Sequence, residues 1–323
     1  MTGDDCSPPP PSHRSGRPAA PGRRPGPIGR PRLVVGFAAG GGSDFVARAL
    51  AKAIAGPLGQ PVVVDNRPGA GGAIASRAVA SADPDGYTLL LGSAANFVIN
   101  PVLIPNLPYD AEKDFVPVGA VARFGYVLLA RKGLPDQKLT DLLAHARQRP
   151  GELTIGSAGN GSNTHLAATA FQKAAGIQLR HIPYKGTTPA LTDLAGGTID
   201  LLFDSVPTVL GQVKAGSLRA IATTGSEREA VLPQLPTVKE AGLPGFVASN
   251  WFAVFAPART PPEVVARLNA AMQQALASDQ LRSQFAASGN IPLPGSSAAL
   301  DRLLKDERAA YTHLIRESGI TAE

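Results

Sequence analysis

Two glycine-rich loops carry most of the chemistry this sequence can offer. VVGFAAGGGSD sets Phe37, Ala38, Ala39, Gly40, Gly41, Gly42, Ser43 and Asp44 behind one apolar run, and TIGSAGNGSNTH sets Ser157, Ala158, Gly159, Asn160, Gly161 and Ser162 behind another. Each loop leads into a stretch with helical periodicity. A helix start presents unpaired N–H groups and the positive end of its dipole, which together favour an anion. Glycine lets the ligand approach the backbone closely. One such loop is ordinary at a strand-to-helix turn, whereas two can grip both ends of one ligand. A third loop, NRPGAGG at residues 66–72, adds Arg67, which is either a site residue or a structural arginine at a tight turn.

Other residue types are weighed against plainer roles. Lys185, in PYKGTTPAL, is a solvated lysine or a ligand contact. Asp204 follows the apolar run IDLLF, at the carboxyl edge where open α/β sheets hold ligands. It can accept from an ammonium, order water, or cap the next helix. Ser93 closes the segment GYTLLLGS and joins the candidate ligand contacts. Ser162, His165 and Asp204 include the residue types of a hydrolytic triad, but no G-x-S-x-G elbow is present. Ser162 reads more simply as a helix cap and His165 as a hydrogen-bonding group. Trp251, the single tryptophan, is a core residue or a cleft wall. The five histidines are scattered without a paired Cys/His set, so no metal is expected. Neither loop keeps a nucleotide fingerprint: G-x-G-x-x-G fails at Phe45 and no G-x-x-x-x-G-K-[ST] occurs. No cofactor and no catalysis are expected.

The elements that must position these residues follow from periodicity. Leu33 to Val35 is a short apolar run; Val46, Leu50 and Ile54 share a helical face. Ser43 or Asp44 suits the cap of that helix and Gly56-Pro57 its end. Strands are predicted at 61–64, 87–91, 153–155, 180–183, 199–203 and 218–223. Helices are predicted at 73–82, 139–147, about 165–175 and 189–195, and through most of 261–318. Strand, loop and helix in repetition argue a parallel sheet with crossover helices. The apolar runs at 126–130 and 251–255 read as crossings between two α/β lobes. The first lobe then takes 31–125 plus 256–323 and the second takes 126–255, with a ligand cleft between them.

Composition narrows the partners. The 323 residues carry a formal charge of +6, of which +3 falls in residues 1–30, and the remainder shows no basic cluster that would suit nucleic acid. A lone cysteine, Cys6, cannot close an internal disulfide. No run approaches the ~18 apolar residues of a membrane span. Residues 1–30 lack the apolar stretch of about 7–15 residues that a secretory signal needs. They read as a disordered, Pro/Arg-rich tail or as a misassigned start.

Several motifs, taken in order, resemble one family. RLVVGFAAGGGSD, QPVVVDNRPGAGG, DPDGYTLLLGS, TIGSAGNGSNTHLA, HIPYKGTTPALTDLAGGTIDLLFD, LPTVKEAGLPGF and WFAVFAPARTP look like the substrate-binding subunits of tripartite tricarboxylate transporters, the TctC-like or Bug-type proteins. The resemblance runs from about residue 31 to the end. It implies a type II periplasmic-binding-protein fold that closes on a small carboxylate through backbone contacts from 37–44 and 156–162, with Asp204 at a specificity position. It also implies a periplasmic protein partnered by the membrane subunits of a transporter; a monomer is expected. The family's first loop commonly carries proline where this chain has Gly36 and Ala39. The competing readings are a ligand sensor docking on a membrane signalling partner, a carboxylic ester hydrolase, and a regulator's effector domain.

Overall fold

The computed structural model describes residues 30–318. The expected tail therefore lies outside the described residues except for Arg30. Strand β1 (Arg32–Val35) buries Leu33, Val34 and Val35 and pairs in parallel with β2 (Val63–Asn66) on one side and β3 (Thr88–Ser93) on the other. The crossovers are helices α1 (Gly42–Leu58) and α2 (Ala73–Ala80). A π-turn at Ala95–Ile99 and the short helix α3 (Asn100–Leu103) follow β3.

Two boundaries of α1 correct the sequence reading. The N-cap is Gly41, in extended conformation, and makes no side-chain cap bond, so Ser43 and Asp44 lie inside the first turn. Asp44 instead reaches back to the loop. The helix also runs through Pro57 to Leu58. A proline in the last turn forfeits a single hydrogen bond, and Leu58 is buried, which anchors that turn. Gly59, at φ 74°, provides the left-handed stop.

Strand β4 (Phe115–Ala130) is the spine of the molecule. From Phe115 to Gly125 it pairs antiparallel with β9 (Ser249–Pro257), which also pairs with β3. From Tyr126 to Ala130 it pairs with β7 (Leu201–Ser205) and with β8 (Arg219–Thr223). The first sheet thus runs β2-β1-β3-β9-β4, with β10 (Ile291–Pro292) on the far side of β4. The second runs β8-β4-β7 and on through β5 (Thr154–Ser157) to β6 (Arg180–Pro183). β9 pairs wholly within the first sheet, although the sequence reading carried the second lobe on to residue 255. One hydroxyl ties the crossing segments: Thr224 Oγ1 accepts the Tyr126 N–H at 2.8 Å and donates to the Ala248 carbonyl at 2.6 Å.

The helices between β4 and β8 are α4 (Leu139–Gln148), α5 (Asn163–Ala175), α6 (Thr187–Gly196) and α7 (Val206–Lys214). The chain ends in α8 (Pro262–Ala277), α9 (Asp279–Ser288) and α10 (Ser297–Ser318). In α8, Leu268, Met272 and Leu276 are buried, as their shared face predicts. Trp251 is a core residue, 3% exposed, and donates its indole N–H to Glu307 on α10 at 2.6 Å.

Packing is tight beside β3. Phe97 stacks on Phe255 with centroids 3.6 Å apart and meets Phe115 edge-on. Gly92 lies under that stack, where a Cβ would fall 2.4 Å from Phe97 Cε2. Gly92→Ala is therefore expected to cost about 1–3 kcal/mol through overpacking, read as a lower denaturation midpoint at unchanged slope. A midpoint equal to that of the parent protein would show that the aromatic stack yields freely.

Candidate functional site

The first loop is built as a rigid nest. Gly40, at φ 86°, directs its N–H to Asp44 Oδ2 at 3.0 Å. Arg48 Nε reaches the same oxygen at 2.9 Å, and Arg48 Nη2 donates to Asn66 Oδ1 at 3.2 Å. Asn66 Nδ2 returns to the Phe37 carbonyl at 3.1 Å. This ring of bonds closes the loop because the parallel register sets Asn66 beside Val35, where β1 ends. Burial pushes the Asp44 carboxyl up, but bonds from Arg48, Gly40 and Asn66 outweigh it and hold the group below the usual carboxylate range. The amides of Gly41, Gly42, Ser43 and Asp44 have no protein acceptor among the described residues. They form the open anion-favouring end of α1. Arg48 and Asn66 were not singled out from sequence, since nothing local marks an arginine on a helix or an asparagine at a strand end as loop supports.

Asp44→Ala removes the acceptor for Gly40 and Arg48 and is expected to cost about 1 kcal/mol of stability. Asp44→Asn keeps an oxygen acceptor and should cost less. Urea unfolding of both variants checks the order.

The second loop is satisfied differently. Gly159 and Gly161 stand at φ 123° and 69°. The Ala158 N–H donates to Thr164 Oγ1, Gly159 to Ser157 Oγ, Gly161 to His165 Nδ1 and Ser162 to the Gly159 carbonyl. Ser162 is the N-cap of α5, accepting the His165 N–H at 3.2 Å. The two loops are therefore not equivalent. The first offers a run of open amides, whereas most amides of the second are consumed in its own shape. Asn160 is exposed at the tip.

Across the gap, Gly42 faces β7 and α7 rather than the second loop: its Cβ direction points to Thr208 Oγ1 at 3.6 Å and Ser205 Oγ at 3.7 Å. Those hydroxyls lie 2.5 Å from each other. The starts of α1 and α7 thus approach one another, one following a strand of the first sheet and the other a strand of the second. The second loop meets the first lobe elsewhere, where a Cβ on Gly161 would fall 2.9 Å from Leu103 Cδ1. Ser205 and Thr208 are additions that sequence reading did not reach; a hydroxyl in a helix's first turn carries no signal of what faces it.

Asp204 is 3% exposed. Its Oδ1 accepts the Ser205 N–H at 2.7 Å, while Oδ2 has no partner among the described residues. Burial pushes its pKa up to about 7 against the pull of the Ser205 N–H and Thr187. Ser93 is buried, with its N–H and hydroxyl both turned to Asn96 Oδ1. Arg67 is exposed and paired with Asp65 at 2.9 Å. Lys185 is exposed at the entry to α6. The triad geometry is absent: His165 Nδ1 takes the Gly161 N–H, Ser162 Oγ takes a backbone N–H, and the bonded oxygen of Asp204 goes to Ser205. No chain runs from nucleophile to base to orienting carboxylate. Two open depressions, of about 480 and 400 Å³, lie at Arg30, Arg32 and Val63 and at Lys132, Arg219 and Gln234. Both sit on outer sheet edges and neither includes a glycine loop.

Comparisons with known proteins agree on one family. The profile described as "Tripartite tricarboxylate transporter family receptor" matches residues 46–320. Protein BugT of Bordetella pertussis is 39% identical over 289 residues, covering 89% of each chain. A protein of R. palustris solved with adipate superposes with a TM-score of 0.86 at 37% identity, covering 91% of this chain and 99% of that one. MatC of Rhodopseudomonas palustris, solved with bound malate, gives a TM-score of 0.82 at 33% identity, covering 90% of this chain and 99% of that one.

Proposed function

The chain belongs to the tripartite tricarboxylate transporter receptor family, and from that premise we propose that it is an extracytoplasmic solute-binding protein that reversibly captures a small carboxylate in the periplasm without chemical turnover. The observation that carries this reading is the open set of amides at the start of α1, held in shape by Asp44, Arg48 and Asn66 and faced by the start of α7. A carboxylate between these helix starts meets donors from both sides. It also relieves the opposition of two positive dipole ends, so it stabilises the closed arrangement more than the open one. Ligands of the two R. palustris relatives, adipate and malate, make dicarboxylates the first class to try. The partners are the membrane subunits of a tripartite transporter, which receive the closed form.

The test is thermal stabilisation of the full chain, first unfolded and refolded to strip carried-over ligand. The panel holds mono-, di- and tricarboxylates, amino acids and aromatic acids, with calorimetry on each hit. A ligand at a hundred times its dissociation constant adds about 2.7 kcal/mol. A carboxylate hit with no change in the recovered ligand supports capture. Turnover of the ligand, or silence across the panel with folded protein, overturns it.

A further inference from the structure

Two imidazoles stand behind the second glycine loop. His165, in the first turn of α5, and His181, on β6, lie parallel with centroids 3.9 Å apart and planes 2° from coincident. Each touches a different point of the same loop. His165 Nδ1 accepts the Gly161 N–H at 3.1 Å, which puts the proton of that ring on Nε2. His181 Nε2 lies 2.6 Å from Ser157 Oγ, and Ser157 is fully buried.

The proton on the His181 ring follows from counting at Ser157. Its hydroxyl accepts the Gly159 N–H at 3.1 Å and lies 3.1 Å from the Gly159 carbonyl. A hydroxyl has one proton to give and two lone pairs to fill. With the proton on the Gly159 carbonyl, one lone pair takes the Gly159 N–H and the other takes an N–H from His181. All three bonds are then satisfied. If the hydroxyl proton went to His181 instead, one Ser157 lone pair would go unfilled and the Gly159 carbonyl would keep only the Ser162 N–H, one bond fewer in all.

We propose that His181 is a positioning residue for the second glycine loop. It acts as an Nε2–H donor to Ser157 and as the flat support that holds the His165 ring where its Nδ1 takes the Gly161 N–H. The stack is a neutral unit: burial pulls the His165 pKa down to about 4, with His181 adding to the effect, and burial lowers His181 as well. Ser157, Gly159 and Gly161 are then held through two rings from two different elements, which replaces the acidic clamp used by the first loop. His181 does not touch ligand in this arrangement; it acts through Ser157 and His165. The effect on affinity rests on the carboxylate-capture reading above, whereas the tautomers and the loop bonds do not.

The experiment uses the full chain labelled with ¹⁵N, with His181→Phe and His181→Gln as variants. Phenylalanine keeps the stack and loses the donor; glutamine keeps a donor at the place of Nε2 and loses the stack. Two-bond imidazole correlations on ligand-free protein at neutral pH are expected to show both rings as Nε2–H tautomers. In His181→Phe the Gly159 amide resonance should move. In His181→Gln it should stay near its parent position, while His165 loses its single tautomer. Affinity for malate and adipate, where the parent binds them, should fall about tenfold in His181→Phe and recover in part in His181→Gln. Either ring found as the Nδ1–H tautomer in the parent protein overturns the proposal. So does a Gly159 amide and a His165 tautomer unmoved in both variants. If the parent binds neither acid, the spectroscopic result still decides the role of His181, and the failure belongs to the capture reading alone.

Discussion

Gly42→Leu is expected to lower affinity for the captured carboxylate by about a hundredfold while leaving the melting temperature of the ligand-free protein nearly unchanged. Gly42 is the first residue of α1, and its Cβ direction runs to Thr208 Oγ1 and Ser205 Oγ of the opposite lobe at 3.6 and 3.7 Å. A methyl fits at those distances in ordinary contact. The branched end of leucine does not, and it occupies the space between the two helix starts where the anion is proposed to sit. Gly42 has ordinary helical geometry, not a left-handed conformation, so the fold of its own lobe has no objection to a side chain. With the lobes parted, leucine projects into water at little cost. Gly42→Ala is the graded comparison: its methyl, in contact with the same hydroxyls, should weaken binding by less than leucine does and gain up to about 1 kcal/mol of stability from reduced freedom of the unfolded chain. Calorimetry with the best acid from the panel, paired with thermal unfolding, reads both. Parent-like affinity in the leucine variant would remove the ligand from between α1 and α7.

The glycine loops were legible because their cause is local. A backbone that must turn left-handed at Gly40, Gly159 and Gly161 selects glycine, and strand ends followed by helical periodicity locate the turn. The Ser162 cap was legible for the same reason. What supports the loops was not. Asn66 reaches Phe37 only because β2 pairs in parallel with β1 in one register, and that register is a long-range fact. His181 lies under His165 only because β6 pairs with β5. The double membership of β4 was hidden because a strand buried through most of its sixteen residues shows no alternation to mark where one sheet yields to the next. The apolar run at 251–255 looked like the matching crossing on composition, yet hydrogen bonding keeps it with β3 and the first half of β4. Asp204 was visible at its strand end, but its burial and its unpartnered oxygen depend on what packs over it.

That burial gives Asp204 a large effect on stability with pH. In the native state its pKa stands at about 7, pushed up by desolvation, with the Ser205 N–H and Thr187 pulling against the shift. In the unfolded chain it is an ordinary aspartate, near 3.9. Between these values the folded protein holds a proton that the unfolded chain has lost, so stability falls as pH rises across the window and the penalty is complete above pH 7. Each pH unit of the window costs about 1.4 kcal/mol, and the whole effect amounts to a few kcal/mol. Asp204→Asn keeps an oxygen for the Ser205 N–H and cannot ionise. It should match the parent protein near pH 4 and melt several degrees higher at pH 8. The same titration bears on the ligand. Below pH 7 a protonated Asp204 can donate to a carboxylate, whereas above it an ionised one repels the anion through a buried path where screening is weak. Affinity of the parent for a dicarboxylate should therefore weaken between pH 6 and pH 8 more than that of Asp204→Asn. Parallel melting curves for the two proteins across pH 4 to 8 would mean that Asp204 is ionised throughout, and a specificity role would then have to rest on ammonium-bearing ligands instead.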